Sequence, residues 1–112
     1  MKLIIAGGRD YTFSPANLLN LNKLSKRVGV DEVVSGHARG ADTCGEEWAI
    51  SLDIPVKVFP ADWEKYGKQA GFIRNAEMAQ YADAVVLFPG GKGTEHMYNI
   101  ARKHKLTIYN WR

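Results

Sequence analysis

Ala84-Val85-Val86-Leu87-Phe88-Pro89-Gly90-Gly91-Lys92-Gly93-Thr94 is the stretch on which the fold of this chain turns. Its first five residues form an unbroken apolar run, the pattern of a strand buried on both faces. A proline stops the run, three glycines follow within four positions, and a helical pattern sets in from about Glu95. A strand, a glycine loop and a helix start, in that order, make a ready anion site. The loop N–H groups and the first N–H groups of the helix lack partners, and the helix dipole favours negative charge there. Glycine lets the backbone itself approach a ligand. The stretch is not a Walker A loop, because Gly93 rather than Ser or Thr follows Lys92, and it is not GxGxxG. An ordinary strand-to-helix turn has the same outline, so the surrounding chain has to decide between the two.

Working outward, Lys2 to Ala6 reads as another buried strand, ending in Gly7-Gly8-Arg9-Asp10-Tyr11. Ser14-Pro15 supplies an N-cap and a first-turn proline. Leu18, Leu21, Leu24 and Val28 then share one helix face, and Gly29 closes the helix. Glu32 to Val34 is a short strand followed by Ser35-Gly36-His37-Ala38-Arg39-Gly40-Ala41-Asp42. The next helix runs to about Leu52, with Ala41, Cys44, Trp48 and Leu52 at core spacing and Thr43 and Glu46 spaced as a capping box. Pro55 to Phe59 is a third strand. The connection Pro60 to Gln69 is long for a compact α/β unit, and such lengths mark functional loops more often than plain connectors. A helix from about Ala70 to Tyr81 aligns Ile73, Ala76 and Gln80 on one face. The helix after the glycine loop ends in Arg102-Lys103-His104-Lys105, cations that suit its negative end, and Leu106 to Tyr109 is the last strand.

This alternation predicts a Rossmann-like three-layer α/β/α sandwich with a five-stranded parallel sheet in the order 3-2-1-4-5. Ligands of such sheets sit beyond the carboxyl ends of the strands where the order reverses, here between the first and fourth strands. Gly7-Gly8, Gly36 to Gly40 and Gly90 to Gly93 all lie at such ends. Three glycine loops brought to one rim weigh far more than one.

The 112 residues make a single domain with no internal repeat or linker, large enough to bury a core unaided. A hydrophobic share of 46% and a charged share of 24% are those of a soluble globular protein. The lone cysteine, Cys44, excludes an internal disulfide and offers no metal framework, so the cytoplasm is the expected compartment. The sequence has no apolar run of membrane-spanning length and no signal-peptide start. A net charge of +3 suits an anionic ligand or nucleic acid without choosing between them.

Five motifs occur in register: Gly7-Gly8-Arg9-Asp10-Tyr11, Ser35 to Asp42, Ala61-Asp62-Trp63, Ala70-Gly71-Phe72-Ile73-Arg74-Asn75-Ala76-Glu77-Met78, and Phe88 to Thr94. Together they resemble the YspA-like branch of the SLOG superfamily, relatives of the LOG phosphoribohydrolases and of the DNA-uptake protein DprA. The resemblance spans nearly the whole chain and implies a Rossmann-like domain that binds nucleotides or nucleotide-derived ligands such as ADP-ribose. It also implies pairing through helices, and with Trp48, Trp63 and Trp111 as aromatic surface a homodimer is expected. Two positions depart from the family pattern. Phe72 stands where proline is common, and His96 and Met97 stand where LOG enzymes carry a catalytic glutamate. The nearest carboxylate, Glu95, is one step along the helix and so rotated by about 100°.

The expected ligand-binding set is Gly7, Gly8, Arg9, Asp10, Tyr11, Ser35, Gly36, Arg39, Gly40, Asp42, Arg74, Asn75, Pro89, Gly90, Gly91, Gly93 and Thr94. Arg9 and Arg39 follow glycine loops, where a guanidinium grips phosphate bidentately or else pairs with Asp10 or Asp42. Asp42 either caps its helix or bonds a ligand hydroxyl. Trp63, Tyr66 and Tyr11 either stack on a base or pack the long loop onto the domain. The candidates for acid–base chemistry are Glu95, Asp42 and His37, although no carboxylate partner for His37 is visible. Cys44 reads as core, and His96 and His104 as surface. No metal or organic cofactor is expected, since the chain has neither a Walker-type hydroxyl nor an acidic cluster.

Three functions compete on this sequence. The first is a module that binds or senses a nucleotide-derived small molecule, and the second a hydrolase that cleaves such a molecule at an N-glycosidic bond. The third, a DprA-like nucleic-acid binder, is the weakest, because no basic run is interleaved with aromatics.

Overall fold

A computed structural model describes residues 1–112. Its elements are β1 (Lys2–Ala6), α1 (Pro15–Val28), β2 (Glu32–Ser35), α2 (Ala41–Ser51), β3 (Val56–Val58), α3 (Trp63–Tyr66), α4 (Ala70–Tyr81), β4 (Ala84–Leu87), α5 (Lys92–Lys103) and β5 (Thr107–Asn110). All four strand pairings are parallel and the order is β3-β2-β1-β4-β5, as the alternation of elements predicts. β1 is central, with Ile4 level with Val34 on one side and Val85 on the other.

Alternate residues of the central strands feed two cores, as period-two side-chain geometry requires. Leu3, Ile5, Val33, Val86 and Phe88 pack against Leu21 and Leu24 of α1 and Ala41, Trp48 and Ala49 of α2. Ile4, Ala6, Val34, Val85 and Leu87 pack on the opposite face against Met78 and Ala79 of α4 and Met97 and Ala101 of α5. Each large apolar side chain buried in this way contributes about 1.5–3 kcal/mol. No helix is long and apolar enough to cross a membrane.

Helix α1 is closed as read: Ser14 accepts from the Asn17 N–H, Pro15 follows, and Gly29 ends the helix at φ 70°. Asn17 completes a reciprocal capping box there. In α2 the expected capping box does not form. Gly40 is the N-cap, Thr43 Oγ1 donates to the Ala38 carbonyl, and Glu46 is engaged elsewhere. The buried face of α2 is Ala41, Gly45, Trp48 and Ala49, with Cys44 half-buried and Leu52 exposed. Gly45 lets the helix lie against β1, since a Cβ there would stand 2.8 Å from Ile5 Cγ2. The buried face of α4 is also rotated from the expected one: Ala70, Asn75, Met78 and Ala79 are buried, while Gln80 is exposed.

The long connection is not a plain loop. Asp62 caps the short α3 by accepting from the Lys65 N–H, and a 3₁₀ turn over Gly67–Gln69 leads straight into α4. Of the three tryptophans only Trp63 is exposed. Trp48 is buried and donates from Nε1 to Asn22, and Trp111 packs edge-on against Phe88. Trp63 is thus the one tryptophan that adds to exposed aromatic surface, beside Tyr66 and Phe72.

Candidate functional site

The order reversal between β1 and β4 leaves a gap at the carboxyl ends of the two strands, and the glycine loops meet over it. The Gly8 N–H donates to the Pro89 carbonyl at 2.8 Å, and the Ala41 N–H donates to the Gly8 carbonyl at 3.1 Å. These bonds tie the loops after β1, β2 and β4 together. Several glycines serve this closure. A Cβ at Gly7 would stand 2.7 Å from the Ala41 Cβ, one at Gly90 would stand 2.2 Å from Thr94 Oγ1, and Gly40, at φ +80°, lies against the Gly8 carbonyl. The Gly8 N–H is thereby spent within the protein and is not a free phosphate donor.

A cleft of about 350 Å³ remains at the rim. Ala6, Gly7, Gly8 and Arg9 form one wall and Gly91, Lys92, Gly93 and Thr94 the other. Ala38 and Asp42 close the α2 side, while Arg74, Asn75, Met78 and Met97 form the α4–α5 side. The helix α5 begins three residues earlier than its sequence pattern suggests, at Lys92 inside the glycine loop. Its N-cap, Gly91, offers no side-chain acceptor, and the first helix-closing bond runs from the Glu95 N–H to the Gly91 carbonyl. The N–H groups of Lys92, Gly93 and Thr94 precede that bond and carry the positive end of the dipole. At Gly91 and Gly93 an added Cβ would meet nothing within 4 Å. The protein's own packing thus gives no reason for glycine at either position.

Asp42 is the one carboxylate in the cleft wall and is 8% exposed. Its Oδ2 accepts the Ala38 N–H at 3.2 Å, and no cation lies within salt-bridge distance. Burial pushes its pKa from 3.8 to about 6, partly offset by that hydrogen bond and by the more distant charge of Arg74, with Glu46 adding to the rise. The Arg74 guanidinium donates from Nη1 to the Gly36 carbonyl at 2.7 Å and from Nε to Asn75 Oδ1 at 3.2 Å. Burial lowers its proton affinity below the ordinary arginine value. Gly36 is glycine for this contact, since a Cβ there would stand 2.5 Å from Arg74 Nη1. Asn75 in turn donates from Nδ2 to the Gly93 carbonyl at 3.3 Å and also meets His96 Nδ1, so α4 holds the glycine loop from below.

The remaining sequence candidates are distributed differently. Asp10 and Arg39 are exposed and pair with each other at 3.4 Å, and Arg39 borders a second cleft rather than the first. Tyr11 turns inward, stacking on Phe88 and donating to Asn17 Oδ1. Ser35 is buried and donates to Glu46 Oε2 at 2.6 Å, away from both clefts. His37 is exposed, in a left-handed conformation at φ 59°, with Nδ1 2.9 Å from Glu46 Oε2. The carboxylate partner that the sequence did not reveal is thus Glu46, in the second turn of α2. Pro89 contributes its carbonyl to Gly8, not a wall. Glu95 is exposed and paired with Arg112 Nη1 at 2.6 Å, outside the cleft. His96 is half-buried, its ring tilted against that of Phe72 with centroids 4.4 Å apart, and its pKa is lowered by desolvation.

Lys92, Ala38, Met78 and Met97 line the cleft without having been marked in the sequence. Lys92 carried a signal, a cation inside the glycine loop. The methionines carried none, because cleft floor and core have the same apolar pattern. No group of three His, Cys, Asp or Glu side chains is assembled that could hold a metal ion.

A family model described as the YspA, cpYpsA-related SLOG family matches residues 1–66. The chain belongs to this family. A similar protein, the gene 61 protein of Mycobacterium phage D29, is 38% identical over 87 residues, covering 70% of this chain and 70% of that protein. The family match contains β1 to α3 and hence Arg9, Asp42 and Trp63. Arg74, Asn75 and the Gly90–Thr94 loop lie beyond it and reach the same cleft through the SLOG fold itself.

Proposed function

We propose that this SLOG domain binds a nucleotide-derived small molecule, ADP-ribose-like or a nucleoside phosphate, with its phosphate against the Gly91–Thr94 turn. The observation that carries the reading is the bareness of Gly91 and Gly93, which line the cleft yet have no neighbour that a side chain would strike. Bare backbone beside the open N–H groups of α5 is what close approach of an anion requires. Arg9, Arg74 and Lys92 outnumber the single carboxylate in the walls, so the field in the cleft attracts anions. Asp42, on the α2 side of the cleft, accepts from a sugar hydroxyl in this reading.

Calorimetry with ADP-ribose, AMP and cyclic nucleotides tests this on wild type and Gly91→Val. Wild type binds at least one ligand. The variant melts at the wild-type temperature and binds at least tenfold more weakly, because valine fills the cleft and not the core. Failure of wild type to bind any of them, or equal binding by the variant, refutes the reading.

One observation supports turnover as a second reading. A buried carboxyl with a pKa of about 6 holds a proton for part of the time near neutrality, as a general acid must. In that reading water attacks the anomeric carbon, the bond to the ring nitrogen breaks, the Asp42 proton passes to the departing base, and the proton lost by the water restores the Asp42 carboxyl. Release of free base by wild type, lost in Asp42→Asn and kept in Glu95→Ala, distinguishes turnover from binding alone.

A further inference from the structure

A second cleft, of about 450 Å³, opens beside the first and shares Arg9, Ala38 and Arg74 with it. Gly36, His37, Arg39, Pro60, Ala61 and Trp63 complete its lining. Trp63 is 51% exposed, and α3 buries none of its residues, so packing of the domain does not account for a tryptophan at this position. The ring is nevertheless held in place. Asp62 caps its helix, and the far edge of the indole, Cη2, lies over Gly71, 3.6 Å from where a Cβ would be. Arg74 Nη2 lies at the same distance from that point, so the indole edge and the guanidinium both border the bare Gly71.

We infer that this second cleft is a subsite for a planar heteroaromatic ring, a nucleobase or a nicotinamide, stacked on Trp63. The inference rests on the phosphate reading of the first cleft and extends it. Ala38 lines both clefts and donates its N–H to Asp42, so a sugar that joins phosphate to ring passes the Asp42 carboxylate. Phosphate, sugar and ring then follow the order Gly91–Thr94, Asp42, Trp63 across two adjoining clefts that share Arg9, Ala38 and Arg74. No carboxylate lines the second cleft, and its polar groups are Arg9, His37, Arg39 and Arg74, suited to the carbonyl and ring-nitrogen acceptors of a base edge. Of the three aromatics that compete for the stacking role, Tyr11 is committed to Phe88 and Tyr66 lines neither cleft.

The test is calorimetry on the full chain with ribose 5-phosphate, adenosine, ribose 1,5-bisphosphate, the four common nucleoside monophosphates and nicotinamide mononucleotide. Wild type binds its best mononucleotide about ten- to a hundredfold more tightly than ribose 5-phosphate, the gain that stacking of one base supplies. Trp63→Ala removes that gain and leaves ribose 5-phosphate affinity unchanged, and Trp63→Phe keeps most of it. The exposed position of Trp63 keeps both variants folded, and their melting temperatures check this. Equal wild-type affinity for all mononucleotides and ribose 5-phosphate overturns the subsite and leaves the phosphate reading standing. So does a Trp63→Ala variant that keeps its preference, or an equal gain from ribose 1,5-bisphosphate, which would make the second cleft another anion site. Adenosine bound by wild type and lost in Trp63→Ala, with ribose 5-phosphate unbound, supports the ring subsite while the phosphate reading falls.

Discussion

Replacing Asp42 with asparagine isolates the energetic consequence of burying a carboxylate in the cleft wall. Its pKa in the folded protein is about 6 against 3.8 for the free group. The folded state therefore holds more protons than the unfolded state between about pH 4 and pH 6. Stability falls as pH rises through that window, and the full cost is present above it. At 1.36 kcal/mol per pKa unit the cost is about 3 kcal/mol. Because the carboxyl is 8% exposed, solvent screening takes little of this away. Asparagine keeps an oxygen for the Ala38 N–H but has no charge to desolvate. Its own burial costs something, but that cost does not vary with pH. The prediction thus concerns the slope and not the absolute gap.

Urea denaturation followed by tryptophan fluorescence, stepped from pH 3.5 to pH 8 for both proteins, gives the curve. Wild-type stability minus variant stability declines by about 3 kcal/mol across the range, with its midpoint near pH 5. His96 has the opposite slope. Desolvation lowers its pKa, so it adds stability as pH rises toward the ordinary histidine value of 6.5. Both proteins carry His96, and the difference curve cancels it. A flat difference curve refutes the argument, since it would mean that Asp42 is as well solvated folded as unfolded.

Gly36→Ala displaces the Arg74 guanidinium, which is the end of a flexible chain and can swing out. The expected stability loss is about 0.5–1.5 kcal/mol for the forfeited bond to the Gly36 carbonyl, read from the melting curve, with a clear fall in phosphate affinity by calorimetry. Glu95→Ala breaks only an exposed pair with Arg112, so it costs under about 1 kcal/mol in denaturant and leaves ligand affinity unchanged. An anion bound beside Asp42 raises its pKa further. Binding of ADP-ribose, whose diphosphate does not titrate near neutrality, therefore takes up protons between pH 6 and pH 7, which calorimetry in buffers of differing ionisation heat measures.

The order of elements, the parallel sheet and the meeting of the glycine loops were legible because apolar runs and turn residues report backbone geometry directly. What the sequence misplaced was the phase of two helices, and each of them lends a polar side chain to the cleft. In α4 the apolar pattern pointed to Ile73, Ala76 and Gln80, yet Asn75 is buried at 6% exposure with Met78 and Ala79. In α2 it pointed to Cys44 and Leu52, yet Asp42 and Gly45 take inward positions. Periodicity assumes that what faces inward is apolar. A helix whose inward face ends in a cleft carries Asn75 or Asp42 at those positions, and the fit slides toward whichever apolar residues lie nearby. The glycines were ambiguous for a related reason. The same residue type lets Gly36 admit Arg74, lets Gly90 admit Thr94, and leaves Gly91 facing open space. Only the neighbours separate these cases, and neighbours are a property of the fold. The positions where a helix's apolar phase breaks, read together with glycines that no neighbour explains, therefore locate the SLOG cleft here more sharply than either signal alone.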